Sequence, residues 1–381
     1  MHAGRLRRPC RTMQHPGAPL WRQERPLRRG CRVMEGHADN RARLDGLRVA
    51  QYDWDEPGLR AVLDGISAPD AVFRLAHPFG DMTGPSAFND NALAVLKAAW
   101  PDVERRDWIV MAGEDENGIE WVGCGGHLSA LSQAFLEIPP TGHLAHMRFH
   151  EFYRFENGRI TEMQALWDIP EVMLQAGAWP MVPSLGREFC IPGPASGDGL
   201  IREARDPARS AASQQLIIDM LNHMKRHPSQ GGPEVMEMPR FWHPRMNWYG
   251  PAGIGTGRGI EGFRNWHQIP FLNGMPDRGS KVAEITYHFF GDNDYAAVTG
   301  WPNMIQTISH DGWLGIPPLG KEITMRSLDF WRVENGLIRE NWVMVDLLHM
   351  YDQIGIDVFA RLREFNNSRN MGQAPLSGGA S

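Results

Sequence analysis

A hairpin near the C-terminal end of the chain carries the residues best suited to acid–base chemistry. Glu334-Asn335-Gly336 separates two strand patterns, and Asn-Gly supplies the positive-φ residues that a tight turn requires. If the turn has three residues, Asp329 faces Asn341 and shares one face of the sheet with Trp331. A carboxyl group enclosed by side chains such as Trp313 has a raised pKa and can act as acid or base near neutrality. We therefore predict that Asp329 and Asn341 belong to a catalytic site.

Other histidine and aromatic residues are predicted to surround a substrate. They come from segments expected to line a pocket or cover its mouth. In the C-terminal half these are Trp248, Tyr249, His243, His267, Trp313 and Trp331, and in the N-terminal half they are His77, His127 and Glu151. A structural role for Asp329, paired with Arg326 or Arg339, remains an equal alternative.

The sequence predicts no metal and no cofactor. Histidines and carboxylates lack the HxH, HExxH or facial-triad spacing of metal sites, and four scattered cysteines fit neither zinc nor a disulfide framework. The glycine-rich run 250–259 lacks GK[ST] and follows no strand of a βαβ unit, so phosphate binding is not expected.

The chain contains an internal repeat. Residues 138–177 and 316–355 align without a gap at an offset of 178, and 16 of the 40 positions are identical. Upstream, Pro101-Asp102 aligns with Pro276-Asp277 at an offset of 175. Two units of this length indicate a duplicated domain rather than a solenoid.

Each unit has the same predicted order of elements, with helical patterns before a set of strands. Apolar spacing predicts a helix over 214–224, and strands are predicted at 108–112, 119–123, 281–289 and 295–300. The segments 71–83 and 241–256 are polar and aromatic, without a strand assignment. This order predicts an α+β fold with helices on one face of a curved antiparallel sheet. The predicted organisation is an extension (1–33), a first domain (45–180), a Pro/Gly-rich linker (181–207), a second domain (208–364) and a flexible tail (365–381).

Charge is distributed unevenly along the chain. Residues 1–33 carry nine arginines and one glutamate, which gives them a net charge of +8. Because the whole chain has a net charge of −6, the remaining residues carry a net charge of −14. We expect this segment to be an extension ahead of a start at Met34, the alternative being an Arg-rich targeting or nucleic-acid-binding arm. The acidic remainder argues against nucleic acid as a partner and favours a neutral ligand. No apolar run reaches the length of a membrane-spanning helix.

The run GIPPLGKEITMRSLDFWRVENGLIRENWVMVDLLHMYDQIG, with IPPTG and FYRFENGRI in the first unit, resembles the SnoaL-like polyketide cyclases of the nuclear-transport-factor-two-like superfamily. The resemblance covers both units. It implies two tandem cone-shaped α+β barrels, each a curved sheet wrapped around helices and enclosing an apolar pocket. It also implies association across the outer sheet face, as an internal pseudo-dimer or a homodimer.

This sequence differs from the family at the positions of the family's two catalytic residues. The family's catalytic histidine aligns with Asp329 and Glu151, and its catalytic aspartate aligns with Val343 and Ala165. His310 lies within one position of a family histidine ahead of the Pro-Pro motif, so we predict it as a partner for Asp329. The adjacent Asp-Gly also fits a solvated loop.

Together these features predict a cofactor-free enzyme, of the cyclase, isomerase or dehydratase type, acting on a small apolar or aromatic carbonyl compound. The second domain, which has more aromatic residues at its site, is expected to be the active one. The alternatives are a non-catalytic small-molecule-binding protein and an epoxide-hydrolase-like enzyme that would use an Asp-Arg-Asp cluster. With two cysteines left outside the extension, a reduced, cytoplasmic setting is expected, without membrane partners.

Overall fold

The computed structural model describes residues 36–131 and 133–371. The extension predicted at 1–33 lies outside the described residues, as do residues 372–381 of the predicted tail. The first seven residues of that tail differ from the expectation, because residues 365–371 continue the last helix.

The first domain places its helices before a set of long strands. Its elements are α1 (Gly36–Asp53), α2 (Glu56–Ile66), β1 (Ser67–Leu75), β2 (Gly80–Thr83), α3 (Pro85–Phe88), a π-helical turn (Asn89–Leu93), α4 (Ala94–Ala99), β3 (Glu104–Glu114), β4 (Glu120–Leu131), β5 (Leu144–Glu156), β6 (Arg159–Trp167) and α5 (Ile169–Gln175).

The second domain repeats this order. The carboxylate of Asp206 caps its first helix by accepting hydrogen bonds from the backbone N–H groups of Ala208 and Arg209. The elements are α6 (Pro207–Met224), a 3₁₀ turn (Pro233–Met236), α7 (Met238–Phe241), β7 (Trp242–Tyr249), β8 (Gly257–Arg258), α8 (Gly259–Phe263), a π-helical turn (Arg264–Gln268), α9 (Ile269–Gly274), a 3₁₀ turn (Val282–Glu284), β9 (His288–Asp292), β10 (Tyr295–Thr299), β11 (Met304–Ile308), β12 (Lys321–Met325), β13 (Ser327–Glu334), β14 (Leu337–Val345), α10 (Leu347–Gln353) and α11 (Val358–Met371).

The two six-stranded sheets have the same topology. Their strand orders are β2-β1-β6-β5-β4-β3 and β8-β7-β14-β13-β10-β9, with β11 and β12 forming a separate pair. All neighbours are antiparallel except β1 with β6 and β7 with β14. The fold is therefore α+β with two tandem domains, and each sheet is curved and open at its edges rather than closed into a barrel. Pro302, which cannot donate a hydrogen bond to a ladder, lies between β10 and β11.

Several local predictions were wrong. Only the end of 281–289 is a strand, while the polar segments 71–83 and 241–256 contain the second half of β1 and all of β2 and β7. The hairpin turn has two residues, because Asn335 and Gly336 both adopt positive φ (53° and 75°), which matches strand twist. The pairing shifts after Arg332, so Asp329 faces Val343 rather than Asn341. A shift of two positions leaves Asp329 and Asn341 on the same face.

The two domains pack through the outer faces of their sheets. Phe152 and Phe330 occupy equivalent positions in the repeat, and their rings stack with centroids 4.9 Å apart. Glycine permits this approach, since a Cβ atom at Gly123 would lie 2.8 Å from the Phe330 ring. Trp342 is fully buried in the same cluster. An isologous interface requires such contacts between equivalent residues.

Polar contacts follow the same pseudo-twofold relation. The Asp168 carboxylate accepts a hydrogen bond from the Ala252 backbone N–H at 3.0 Å, and the equivalent Asp346 accepts one from His77 N–H at 3.1 Å. Arg148 is fully buried, lies 3.3 Å from Asp168 and donates to the backbone oxygens of Tyr249, Gly250 and Val343. These bonds join the domains without exposing the charge to water.

Candidate functional site

The second domain has a cavity between its helices and the inner face of its sheet. The space free of protein atoms there, part of it open to solvent, is about 550 Å³. Its walls are mainly apolar and aromatic. The lining residues that bear on its chemistry are Trp248, His267, Arg278, Trp313, Ser327, Asp329, Trp331, Asn341, Val343 and Val345.

Asp329 projects from β13 into this cavity. The Ser327 hydroxyl donates a hydrogen bond to its carboxylate at 2.7 Å. No ion pair to Asp329 is present within the described ranges. Burial raises the pKa of Asp329 to about 7, while the Ser327 hydrogen bond and the positive charge of Arg278 oppose this rise. Both protonation states are therefore populated near neutral pH.

An aromatic stack forms one wall of the cavity. The Trp248 and His267 rings are nearly parallel, at 13° and 4.2 Å between centroids, and His267 also stacks on Phe271. Trp313 meets Phe271 edge-on at 5.1 Å. Burial, helped by the positive charge of Arg278, lowers the pKa of His267 to about 3. The imidazole is consequently neutral at physiological pH.

Asn341 lies on β14 beside the cavity and is 2 % exposed. Its side-chain amide donates to the backbone oxygen of Phe330 at 3.0 Å, which fixes its orientation. An amide held in this way can present its oxygen as an acceptor but cannot exchange protons at neutral pH.

Three predicted residues of the second domain lie elsewhere. His310 is exposed, and its ring hydrogen-bonds only to the neighbouring Ser309 hydroxyl among the described contacts, because the loop turns outward. Tyr249 follows Trp248 in a strand and so points to the opposite face, where its hydroxyl donates to Glu340. His243 accepts a hydrogen bond from the Arg245 N–H at the start of β7, outside the cavity lining.

Comparison with known families supports this architecture. The family model described as SnoaL-like polyketide cyclase matches residues 53–176 and 233–354, more than half of the chain. The chain belongs to the SnoaL-like polyketide cyclase family. The comparison with curated proteins gave no significant match.

Solved structures similar to this SnoaL-like chain each correspond to one domain of it. AclR from Streptomyces galilaeus is 22% identical, with a TM-score of 0.31, and the match covers 37% of this chain and 97% of AclR. IdmH from Streptomyces antibioticus is 23% identical, with a TM-score of 0.31 and coverage of 36% and 98%. A SnoaL-like protein from Jannaschia sp. CCS1 is 21% identical, with a TM-score of 0.32 and coverage of 39% and 99%.

The first SnoaL-like domain carries larger side chains at two positions that line the cavity of the second. Phe149 and Trp167 stand at the positions of the smaller Ser327 and Val345. Arg105, 1 % exposed, packs its guanidinium 4.1 Å from the Phe149 ring centroid.

Glu151, the equivalent of Asp329, is held by three side chains of its own domain. Its carboxylate accepts hydrogen bonds from Arg105 at 2.6 Å, Tyr153 at 2.7 Å and Trp167 at 3.3 Å. Its surroundings therefore differ from those of Asp329, which has no ion pair within the described residues.

The two predicted histidines of the first SnoaL-like domain lie away from its interior. His77 contacts the second domain through its backbone N–H to Asp346. His127 lies on the outer face of β4, because its neighbour Leu128 points into the core, and it accepts a hydrogen bond from the Trp108 indole at 3.3 Å.

Sequence reasoning missed two cations near the cavity. Arg278 lines it, and Lys225, the C-cap residue of α6, lines an adjoining chamber. A signal existed for Arg278, since it directly follows the repeated Pro276-Asp277 and replaces the valine found after Pro101-Asp102.

No helix within the described residues is long and apolar enough to span a membrane.

Proposed function

We propose that the second SnoaL-like domain is a cofactor-free enzyme that moves a proton on a small, largely apolar or aromatic carbonyl compound, as cyclisation, isomerisation or dehydration requires. The observation that supports this most is the Asp329 carboxyl group. It lies in an aromatic-lined cavity, without an ion-pair partner in the part of the chain that is described, and its pKa is raised to about 7. A general base is most effective when its pKa is near the working pH.

In this mechanism Asp329 takes a proton from the carbon next to the carbonyl group. The resulting carboxylic acid returns the proton to the product, so no external acid is needed. Ser327, which donates to the Asp329 carboxylate at 2.7 Å, holds the charged form in position. Neutral His267 is available as a hydrogen-bond donor to the developing enolate oxygen.

The epoxide-hydrolase alternative is not favoured by the geometry. Its Asp-Arg-Asp cluster needs a second aspartate beside Asp329 and an arginine, and Asp329 is the one aspartate among the described residues that line the cavity. Arg326, the arginine suggested by the sequence, pairs with Asp346 at 3.2 Å and packs 4.4 Å from the Trp301 ring centroid.

Exchange of α-hydrogen for deuterium tests the proposal without knowledge of the natural substrate. The probe is 2-tetralone in D₂O, followed by proton NMR. We expect wild type to catalyse the exchange. The exchange rate of Asp329→Asn should be lower by at least about 100-fold, which is the contribution typical of general acid–base catalysis. The matched control is Glu151→Gln, which changes the equivalent carboxylate of the first domain and should keep the rate. Equal rates in wild type and Asp329→Asn would reject the assigned base. Binding of aromatic ketones without any exchange by wild type would instead support a non-catalytic binding protein.

A further inference from the structure

A second chamber adjoins the cavity and shares Asp329 with it. About 530 Å³ lies between α6, the start of β13 and the segment around Arg278. Both spaces are bordered by Leu221, Arg278, Met304, Ser327 and Asp329, so a ligand in one reaches the same carboxyl group as a ligand in the other.

Two cations line this chamber without a carboxylate partner. Neither Lys225 nor Arg278 forms an ion pair within residues 36–131 and 133–371. Among the described residues, the Lys225 ammonium group donates only to the Asn222 side chain, at 3.3 Å, and it lies 6.0 Å from the Tyr287 ring centroid. The Arg278 guanidinium lies 5.8 Å from the Phe271 ring centroid. The nearby Asp277 carboxylate is already engaged by the Thr307 backbone N–H.

The two cations are held close to each other. The stem of Lys225 lies against Gly279, where an added Cβ would be 2.9 Å from its Cγ atom. Burial and the charge of Arg278 both lower the pKa of Lys225. The two like charges repel each other, and neither forms an ion pair with Asp329 within the described residues, so an added anion can form charge-assisted hydrogen bonds with both.

We propose that this chamber binds a carboxylate group of the substrate. The inference rests on the proposed function, because it assigns the substrate as an oxo acid. Its carboxylate contacts Lys225 and Arg278, its apolar or aromatic body lies among the tryptophans, and the carbon next to its carbonyl group meets Asp329. The net charge of −14 outside residues 1–33 does not prevent a carboxylate from binding here. Dissolved salt screens charges that are more than about 8 Å apart, so the two nearby cations dominate the field at the chamber.

Calorimetric titration with 2-naphthoate and its neutral analogue 2-naphthamide tests the chamber. We expect wild type to bind the carboxylate at least about tenfold more tightly than the amide, with a preference that shrinks at high salt. Lys225→Met and Arg278→Met should each reduce that preference towards unity. Lys281→Met, which removes an exposed cation of the same segment that lines neither space, should leave it unchanged.

Two results would overturn the proposal: equal affinity of wild type for the two ligands, or a full carboxylate preference in folded Lys225→Met and Arg278→Met variants. Lys225→Gln and Arg278→Gln serve in place of any methionine variant whose circular dichroism spectrum shows loss of fold. Failure of the proposed function is separable, because Asp329→Asn should keep the carboxylate preference while losing deuterium exchange. A retained preference together with full exchange activity in Asp329→Asn would remove the catalytic role and leave the anion site.

Discussion

Replacing Asp329 by asparagine should make stability less dependent on pH. The pKa of Asp329 is raised to about 7, whereas an unfolded aspartate titrates near about 3.9. Folding therefore favours the protonated form. The stability associated with that form is complete below about pH 4 and is lost as pH rises through about 7.

The magnitude follows from the difference between the two pKa values. At about 1.4 kcal/mol for each pKa unit, the buried carboxylate costs wild type up to about 4 kcal/mol at pH 8 but only about 1–2 kcal/mol at pH 5. Water entering the cavity would solvate the charge and reduce both values. The unfolding free energy of Asp329→Asn, measured relative to that of wild type, should therefore be about 2–3 kcal/mol higher at pH 8 than at pH 5.

Urea unfolding at the two pH values, followed by tryptophan fluorescence, measures this difference. Other titrating groups affect wild type and variant alike and cancel in the comparison. Asp311→Asn, which changes an exposed carboxylate in a loop of the same domain, is the matched control and should show no such gain. If the stability difference between Asp329→Asn and wild type were the same at both pH values, the carboxyl group would titrate normally, and its assignment as a base near neutrality would lose its physical support.

Three further changes probe the cavity and the interface between the domains. Val345→Trp, which introduces the tryptophan found at the equivalent position Trp167, should fill the second cavity and abolish 2-naphthoate binding in calorimetry while circular dichroism stays unchanged; retained affinity would place the ligand elsewhere. Arg148→Met should lower the urea-derived unfolding free energy by about 3–5 kcal/mol, because it leaves the buried Asp168 carboxylate without its cation; a loss below about 1 kcal/mol would contradict that pairing. Phe330→Ala should cost about 3–5 kcal/mol by opening a void against Phe152, and a near-neutral effect would mean that the sheet faces are not packed as described.

The repeat was enough to predict two domains of one kind, because matching Glu-Asn-Gly turns at a fixed offset require matching hairpins. The register of those hairpins was not predictable from the same residues. Asn-Gly fits both a two-residue turn and a longer turn with a bulge, and only the backbone at Asn335 decides between them. Asp329 kept its face because the error was two residues, an even number.

Side-chain direction explains the mixed outcome at the site. Adjacent strand residues alternate faces, so Trp248 and Tyr249 could not both line the cavity, and the sequence alone supported that conclusion. The exposure of His310 agrees with the adjacent Asp311-Gly312, a local turn signal that indicates a solvated loop. Lys225 was missed because only the folded chain brings the end of α6 beside Arg278.

Duplication within one chain allows the two domains to diverge in ways that a symmetric homodimer cannot. In a homodimer a residue that fills one cavity fills both, because each position occurs twice. Here the interface keeps equivalent contacts, as at Asp168 and Asp346, while the interiors differ. The first domain pairs Glu151 with Arg105, and the second leaves Asp329 without such an ion pair within the described residues. Packing between the two outer sheet faces contributes stability that does not depend on the interior of the second domain. That domain can therefore retain a buried carboxyl group beside its cavity at a cost in stability that the interface offsets.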